Sequence, residues 1–415
     1  MSTPSHCVIV GGSHAGAQAA ASLRQEGFTG AITLVSAEQI LPYHRPPLSK
    51  AFLCADKGDD ELLIRPADFY AKQNIEVRLA TRVTAVDSSQ RRLHCDDGTV
   101  LNYSQLILAT GADVRRLSLP GSELPGVCYL RGREDVLNIR RYIRPGAHAV
   151  IIGGGYIGLE TAASLRKQGM QVTVLESLPR VLQRVTAPEV SAFYTRVHRE
   201  EGVEVLLDAR IEYLAGEQAV EAVVLADGRR IAAQLVVVGI GVLPNVELAR
   251  QLGLDADNGI EVDEFARTAC ADVYAVGDCT RHHNPYYDTR LRLESVQNAT
   301  DQARVAAQHI CGKPSVYKAL PWFWSDQYDL KLQIAGLSTG YDQVVLRGRS
   351  DEGRSFSAFY FRQGRLLAVD AVNRPKDFTF TKRFLAEGRS ANPQLLADES
   401  VDIQSCFSPE ATLCR

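Results

Sequence analysis

Two glycine-rich turns, each closing an apolar run, hold the residues best placed for chemistry. The first is Val8-Ile9-Val10-Gly11-Gly12-Ser13-His14-Ala15-Gly16. The second is Val150-Ile151-Ile152-Gly153-Gly154-Gly155-Tyr156-Ile157-Gly158, followed by Leu159 and Glu160. Glycines between a strand and a helix let the backbone approach a pyrophosphate, which then sits on the positive helix N-terminus. In the second turn Gly153, Gly155 and Gly158 occupy every required place. The next apolar run ends in Glu176, roughly twenty residues on, where a carboxylate accepts hydrogen bonds from an adenosine ribose. The same charge repels a 2′-phosphate, so this turn reads as an NAD site. Arg180 and Arg184 stand nearby with charge to offer a phosphate, which leaves the strictness of NADH over NADPH open. In the first turn Ser13 replaces the middle glycine. The following run ends in Ser36-Ala37, displacing the acid to Glu38, either a ribose ligand or an ordinary surface acid. Two such turns in one chain imply two dinucleotides held at once, with electrons passing between them.

Two βαβ units must position these residues. Residues 7–10 read as a strand, 15–26 as an Ala-rich helix stopped by Gly27, and 31–35 as the next strand. The pattern restarts with a strand at 148–152, a helix at about 156–168 stopped by Gly169, and a strand at 171–175. Further buried strands at 106–109, 235–238 and 272–276 lead into Thr110-Gly111, Gly239-Ile240-Gly241 and Gly277-Asp278. From about Pro321 the character changes. Residues 344–347, 356–361 and 366–369 read as antiparallel strands, and 378–385 as a helix. The polar tail from Asn392 reads as loosely ordered.

A chain of 415 residues, 45% hydrophobic, has more than one core. Its net charge of −3 argues against nucleic-acid binding, which needs a basic surface. No apolar run reaches membrane-spanning length, and the N-terminus enters a strand without a charged-then-apolar leader, so a cytoplasmic protein is expected. Nine scattered cysteines without a Cys-x-x-Cys pair read as reduced, inert thiols. No His/Cys cluster has zinc spacing, so no metal is expected. Oligomeric state is not legible.

Taken together, Gly-x-x-x-Ala-Gly (11–16), Ala-Thr-Gly (109–111), Gly-x-Gly-x-x-Gly (153–158), Gly-Ile-Gly-x-x-Pro-Asn (239–245) and Ala-x-Gly-Asp (275–278) resemble the motif set of FAD-dependent pyridine-nucleotide oxidoreductases. Three stretches narrow the resemblance: Leu41-Pro42-Tyr43-His44-Arg45-Pro46-Pro47-Leu48-Ser49-Lys50, Glu294-Ser295-Val296-Gln297-Asn298-Ala299 and Pro321-Trp322-Phe323-Trp324-Ser325-Asp326-Gln327. They are similar to the NADH–ferredoxin reductases of bacterial oxygenase systems, the putidaredoxin reductase-like group. The resemblance implies an α/β, glutathione-reductase-like fold with two Rossmann-like domains. An FAD domain would span 1–113 and 245–320, an NAD domain 114–244, and a C-terminal α+β domain 321–415.

The resemblance also implies roles. Around FAD it places the first turn (Gly11, Ser13, His14, Ala15, Gly16) with Glu38, Arg45 and Val83. It adds Ala109, Thr110, Gly111, Arg131, Asp278 and Val296, with Arg131 open to a domain-interface salt bridge instead. Lys50 would lie by flavin N5, its charge favouring the reduced anion. Trp324 would cover the flavin edge where electrons leave, and Trp322 reads as core. Around NAD it places Gly153, Gly155, Tyr156, Ile157, Gly158, Glu176 and Gly241, with Glu160 holding the nicotinamide carboxamide. The implied activity passes a hydride from NADH to FAD, then single electrons to an acidic 2Fe–2S ferredoxin that feeds a monooxygenase or dioxygenase. Arg290, Arg292, Lys313 and Lys331 are candidates for a basic docking patch. One rival is a thiol-based disulfide reductase or peroxidase, but residues 41–53 hold no cysteine and Cys54 has no partner nearby. Another is a non-enzymatic NADH-sensing flavoprotein.

Overall fold

The computed structural model describes residues 5–408, and the chain divides into two compact units. The first unit holds the chain up to Arg45, with Gly58–Asp113 and Val242–Ala319. The second holds Pro46–Lys57, Val114–Gly241 and the chain from Leu320. In chain order the first elements are β1 (His6–Val10), α1 (His14–Gln25), β2 (Ala31–Val35), β3 (Ile75–Arg78) and β4 (Gln105–Leu108). Next come β5 (Val127–Tyr129), β6 (His148–Ile152), α2 (Tyr156–Lys167), β7 (Gln171–Leu175), α3 (Pro188–Glu200) and β8 (Val203–Leu206). Then follow β9 (Leu235–Val238), β10 (Val273–Ala275), α4 (Val296–Ile310), β11 (Trp322–Gln327) and β12 (Leu330–Gly336). The last are β13 (Gln343–Gly348), β14 (Phe356–Arg362), β15 (Arg365–Val372), α5 (Pro375–Ala386) and α6 (Pro393–Ala397).

The first unit is built on a parallel sheet, ordered β10-β4-β1-β2-β3. Cys7, Val8 and Ile9 are fully buried on both faces of β1, as expected of a central parallel strand. Val10 pairs with Val35 and Leu108, and Leu108 with Ala275, so the strands end in one row. The second unit repeats the device with the order β8-β7-β6-β9-β5, and Ile152, Leu175, Leu206, Val238 and Tyr129 form its row. Each helix rests on its own strand because a glycine lets it. A Cβ on Gly16 would meet the Gly11 carbonyl oxygen at 1.9 Å, and one on Gly158 the Gly153 oxygen at 2.1 Å.

The second unit also carries an antiparallel sheet, ordered β11-β12-β15-β14-β13. Its last three strands and α5 enclose the segments read from the sequence; β11 and β12 were not read as strands. The expected loose tail is corrected for the described residues. Asn392 caps α6 by accepting from the amide of Gln394 at 2.9 Å, and Leu396, Ile403, Cys406 and Phe407 are buried. Arg347 on β13 explains this order. Its buried guanidinium donates to the carbonyls of Leu396, Asp398, Glu399 and Val401, at 3.1, 2.6, 3.4 and 2.7 Å. Such a fork satisfies chain carbonyls that no helix or sheet could. Residues 409–415, with Cys414, lie outside the described residues, as do 1–4. No described helix is long and apolar enough to cross a membrane.

Arg347→Ala removes four charge-assisted bonds at once. It should lower unfolding stability by about 2–4 kcal/mol and open 392–408 to limited proteolysis, with Arg347→Lys recovering only part.

Candidate functional site

In parallel sheets, residues just past the strand C-termini face one crevice. In the first unit those residues are Gly11 after β1, Ser36 after β2, Ala109 after β4 and Val276 after β10, with Asp278 two residues further. The Ala109-Thr110-Gly111 crossing is fixed by Asn245. The Thr110 hydroxyl donates to the Asn245 carbonyl at 2.7 Å, and the Asn245 amides donate to the Thr110 and Gly111 oxygens at 3.1 and 3.0 Å. The Gly277 amide donates to Gln302 Oε1 at 2.8 Å, which sets the approach to Asp278. Ser13, Glu38 and Arg45 come together. Arg45 donates to Ser13 Oγ at 3.0 Å and to Glu38 Oε1 at 2.5 Å, while the Tyr43 hydroxyl donates to the other Glu38 oxygen. Glu38 is thus held at the edge where the sequence left its role open. His14 and Ala15 are buried in the first turn of α1, and Val296 is half-buried where α4 begins, capped by Ser295. Val83 is buried in the same core cluster as Val10, Val35 and Leu108.

At the second edge the glycine turn is clamped from two sides. The Gly154 amide donates to Glu176 Oε2 at 2.7 Å, and its carbonyl accepts from the Leu182 amide at 2.9 Å. Glu176 Oε1 accepts from the Leu178 amide at 2.9 Å. A Cβ on Gly155 would meet nothing within 4 Å, and neither would one on Gly241. The turn is therefore packed behind Gly158 and open in front of Gly155, the shape a diphosphate needs. Ser13 stands where Gly155 stands in the second turn, so a serine there is tolerated by the scaffold. Arg180 is tied to its own loop: it donates to the carbonyls of Thr186 and Gln183 at 2.7 and 3.1 Å, and to Ser191 Oγ at 2.7 Å. Arg184 is exposed. Ile157 is exposed on the first turn of α2, and the buried Tyr156 hydroxyl has no hydrogen-bond partner among the described residues. Arg131 follows β5 at this same edge, its backbone amide on Asp135.

Lys50 and Glu160, 110 residues apart, meet as an ion pair at 2.5 Å within the second unit. Glu160 is 2% exposed. The oxygen that receives Lys50 also accepts from Ser49 Oγ at 2.5 Å, and the other accepts from Ser325 Oγ on β11 at 2.6 Å. Lys50 Nζ reaches the Pro46 carbonyl at 3.2 Å, and Ser164 Oγ donates to the Ser49 carbonyl at 2.6 Å. Ser49 and Ser325 were not singled out from the sequence, although both lie in the stretches that narrowed the resemblance.

On β11, Trp322 and Trp324 point to one face and stack at 5.5 Å and 28°. Lys382 lies over the Trp322 ring at 4.2 Å. Trp322 is half-buried rather than core: its face of β11 holds the second indole and the exposed Asp326, and Phe378 of α5 lies 6.2 Å away. Phe323, on the opposite face, meets Tyr156 at 5.1 Å. Three basic-patch candidates have acidic partners: Arg290 shares Glu261 with Arg281, Arg292 pairs with Glu294 at 2.7 Å, and Lys313 with Glu26 at 3.3 Å. Lys331 is exposed. The eight described cysteines are all free thiols. Cys54 turns its sulfur to the Ser164 carbonyl, and burial raises its pKa, away from the reactive thiolate.

Asp370 on β15 is 1% exposed and accepts from the Tyr360 hydroxyl at 2.5 Å. Burial raises its carboxyl to about 7. His198 on α3, between Gln327 at 2.8 Å and Tyr328 at 3.0 Å, is lowered to about 4 by burial.

The family model described as pyridine nucleotide-disulphide oxidoreductase matches residues 5–303, and one described as reductase C-terminal matches 322–407. The chain belongs to the pyridine nucleotide-disulphide oxidoreductase family. It is 45% identical to the ferredoxin reductase subunit of 5,5'-dehydrodivanillate O-demethylase of Sphingobium sp. (strain NBRC 103272 / SYK-6), over 96% of this chain and 97% of that one. It is 44% identical to putidaredoxin reductase of Pseudomonas putida, over 98% of each. A crystal structure of the covalent putidaredoxin reductase–putidaredoxin complex matches with a TM-score of 0.94 and 43% identity, over 97% of this chain and 98% of that one.

Lys50→Met strands the Glu160 carboxylate and should cost about 2–4 kcal/mol in denaturant unfolding at fixed FAD. Lys50→Met/Glu160→Gln should recover most of that loss. Asp370 keeps its proton in the folded chain after the unfolded chain has lost it. The folded state therefore binds more protons between about pH 4 and pH 7, and the Asp370 contribution to stability falls as pH rises through that window. His198 acts in the opposite sense between about pH 4 and 6.5, where burial holds it neutral. Asp370→Asn isolates the first effect: its stability relative to the parent should rise with pH across the window, by up to about 1.4 kcal/mol per unit.

Proposed function

We propose that this chain is a cytoplasmic NADH-dependent ferredoxin reductase that holds FAD and NADH and passes single electrons to a 2Fe–2S ferredoxin serving an oxygenase. Two observations support it jointly: a duplicated glycine-turn edge, and a carboxylate–lysine–serine cluster where a disulfide reductase would need thiols. The family match and the ferredoxin-reductase relatives support the same reading. Bound FAD supplies hydride acceptance from NADH and release of electrons one at a time.

The protein's part is placement and charge. Gly11 to Gly16, with Ala109, Thr110 and Gly111, offer backbone to FAD, and Asp278 offers a carboxylate to its hydroxyls. Gly153, Gly155 and Gly158 offer the same approach to NADH. Glu176 faces the ribose while locking the turn through Gly154 and Leu178. With Arg180 committed to its own loop, the balance at this edge favours NADH over NADPH. Lys50 would present a cation to the reduced cofactor, and Glu160 holds that side chain in place. Both Glu160 oxygens are engaged by side chains, so the role assigned to it is the counter-ion of Lys50 first and a contact for the carboxamide second. Trp324, backed by Trp322, forms the aromatic face where electrons leave. An acidic ferredoxin suits the exposed Lys331 on the C-terminal sheet better than Arg290, Arg292 and Lys313, each of which has an acidic partner.

The test is anaerobic reduction by NADH and by NADPH, followed by cytochrome c reduction with and without added 2Fe–2S ferredoxin. NADH preference and strong stimulation by ferredoxin are expected. Turnover indifferent to ferredoxin contradicts the proposal, and NADPH preference contradicts the role of Glu176. Because a Cβ at Gly155 meets only open space, Gly155→Val should fold and keep its bound-FAD spectrum. It should lose NADH reduction by about a hundredfold or more, since the side chain fills the place of a diphosphate.

A further inference from the structure

The segment 178–187, between β7 and α3, forms one wall of the second glycine turn. Its Leu182 amide holds the Gly154 carbonyl at 2.9 Å, from a left-handed backbone (φ 55°) that a buried leucine adopts only when its surroundings enforce it. Arg180 supplies part of that enforcement, gathering the Gln183 and Thr186 carbonyls and the Ser191 hydroxyl, while Ser191 donates to the Val181 carbonyl at 2.7 Å. The far end of the segment is held by a different part of the chain. The Tyr360 hydroxyl of β14 accepts from the Ala187 amide at 3.2 Å, lies 3.1 Å from Thr186 Oγ1, and donates to Asp370 of β15 at 2.5 Å. One donor and two acceptor positions saturate a phenol hydroxyl. The linkage is buried throughout: Tyr360, Thr186, Ala187 and Asp370 are all under 4% exposed. A phenol and a carboxyl in the antiparallel sheet thus terminate a continuous chain of bonds that runs through Thr186, Arg180 and Leu182 to Gly154.

We infer that Tyr360 and Asp370 are positioning residues for the NAD site, acting through the 178–187 segment rather than by touching the dinucleotide. The antiparallel sheet that carries Trp324 therefore also sets the geometry of the turn that receives NADH. This rests on the proposed assignment of the second glycine turn to NADH. Burial raises the Asp370 carboxyl to about 7, which suits the role, since below that pH the neutral partner strands no charge beneath the loop.

The test uses FAD-loaded, oxidised protein and NAD⁺ as the probe, with the dissociation constant read by calorimetry and the 178–187 amides by hydrogen exchange. Tyr360→Phe keeps the ring and deletes the hydroxyl. It should weaken NAD⁺ about fivefold, as expected for one lost hydrogen bond transmitted to the site, and speed exchange in 178–187. Thr186→Val cuts the same link from the loop side and should do likewise, which keeps the test open if Tyr360→Phe folds poorly. Combined with Arg180→Met, either change should add less than the sum of the separate effects, because all act on one element. Unchanged NAD⁺ affinity and exchange in both variants, with only a lower melting temperature, overturns the inference. Gly155→Val separates this from failure of the parent reading. If Gly155→Val still binds NAD⁺, the dinucleotide assignment falls and the inference with it. If Gly155→Val abolishes binding while Tyr360→Phe and Thr186→Val do not alter it, only the positioning role falls.

Discussion

A single buried carboxylate organises the second unit. Glu160 projects from α2, immediately behind the glycine turn, and every side chain that satisfies it comes from elsewhere in the sequence: Ser49 and Lys50 from the 46–50 turn, Ser325 from β11. A carboxylate removed from water needs this degree of satisfaction, so the three segments are not free to move apart. The helix that follows the second glycine turn, the lysine proposed to serve the flavin and the strand that carries the tryptophans are tied to one group.

The two sheet edges show one device used with different finishing. In both, strands end in register, a glycine lets the helix sit on its strand, and an acid follows the second strand. At the second edge Glu176 folds back on the turn itself. At the first, Glu38 is engaged by Arg45 and Tyr43, and Ser13 joins the same cluster. The first turn is therefore not a degraded copy of the second. It exchanges a bare glycine for a serine whose hydroxyl is already committed to Arg45.

Much of this was legible in the sequence, because strand periodicity, glycine spacing and acid position are local signals. The parallel cores, the two turns, Glu176 and the last three strands belong to that class. Partnerships across the chain were not. Nothing local links Lys50 to Glu160, and nothing marks Arg180 as holding a loop rather than receiving a phosphate. The tail from 392 was misread for the same reason. Its polarity is real, but its order comes from Arg347, which lies 45 residues earlier and looks like any strand arginine. Trp322 was misassigned because aromatic content predicts burial, whereas alternation along β11 places it beside Trp324 on a partly open face.

Electrons are proposed to leave this protein singly, through a thiol-free site centred on a lysine and a carboxylate. The most direct measurement is an anaerobic titration of the holoenzyme, its accessible thiols alkylated, with NADH in the presence of excess oxidised 2Fe–2S ferredoxin. Two ferredoxins reduced per NADH, at a rate unaffected by alkylation, is the predicted result. Loss of ferredoxin reduction on alkylation, or NADH consumption that leaves ferredoxin oxidised, contradicts it.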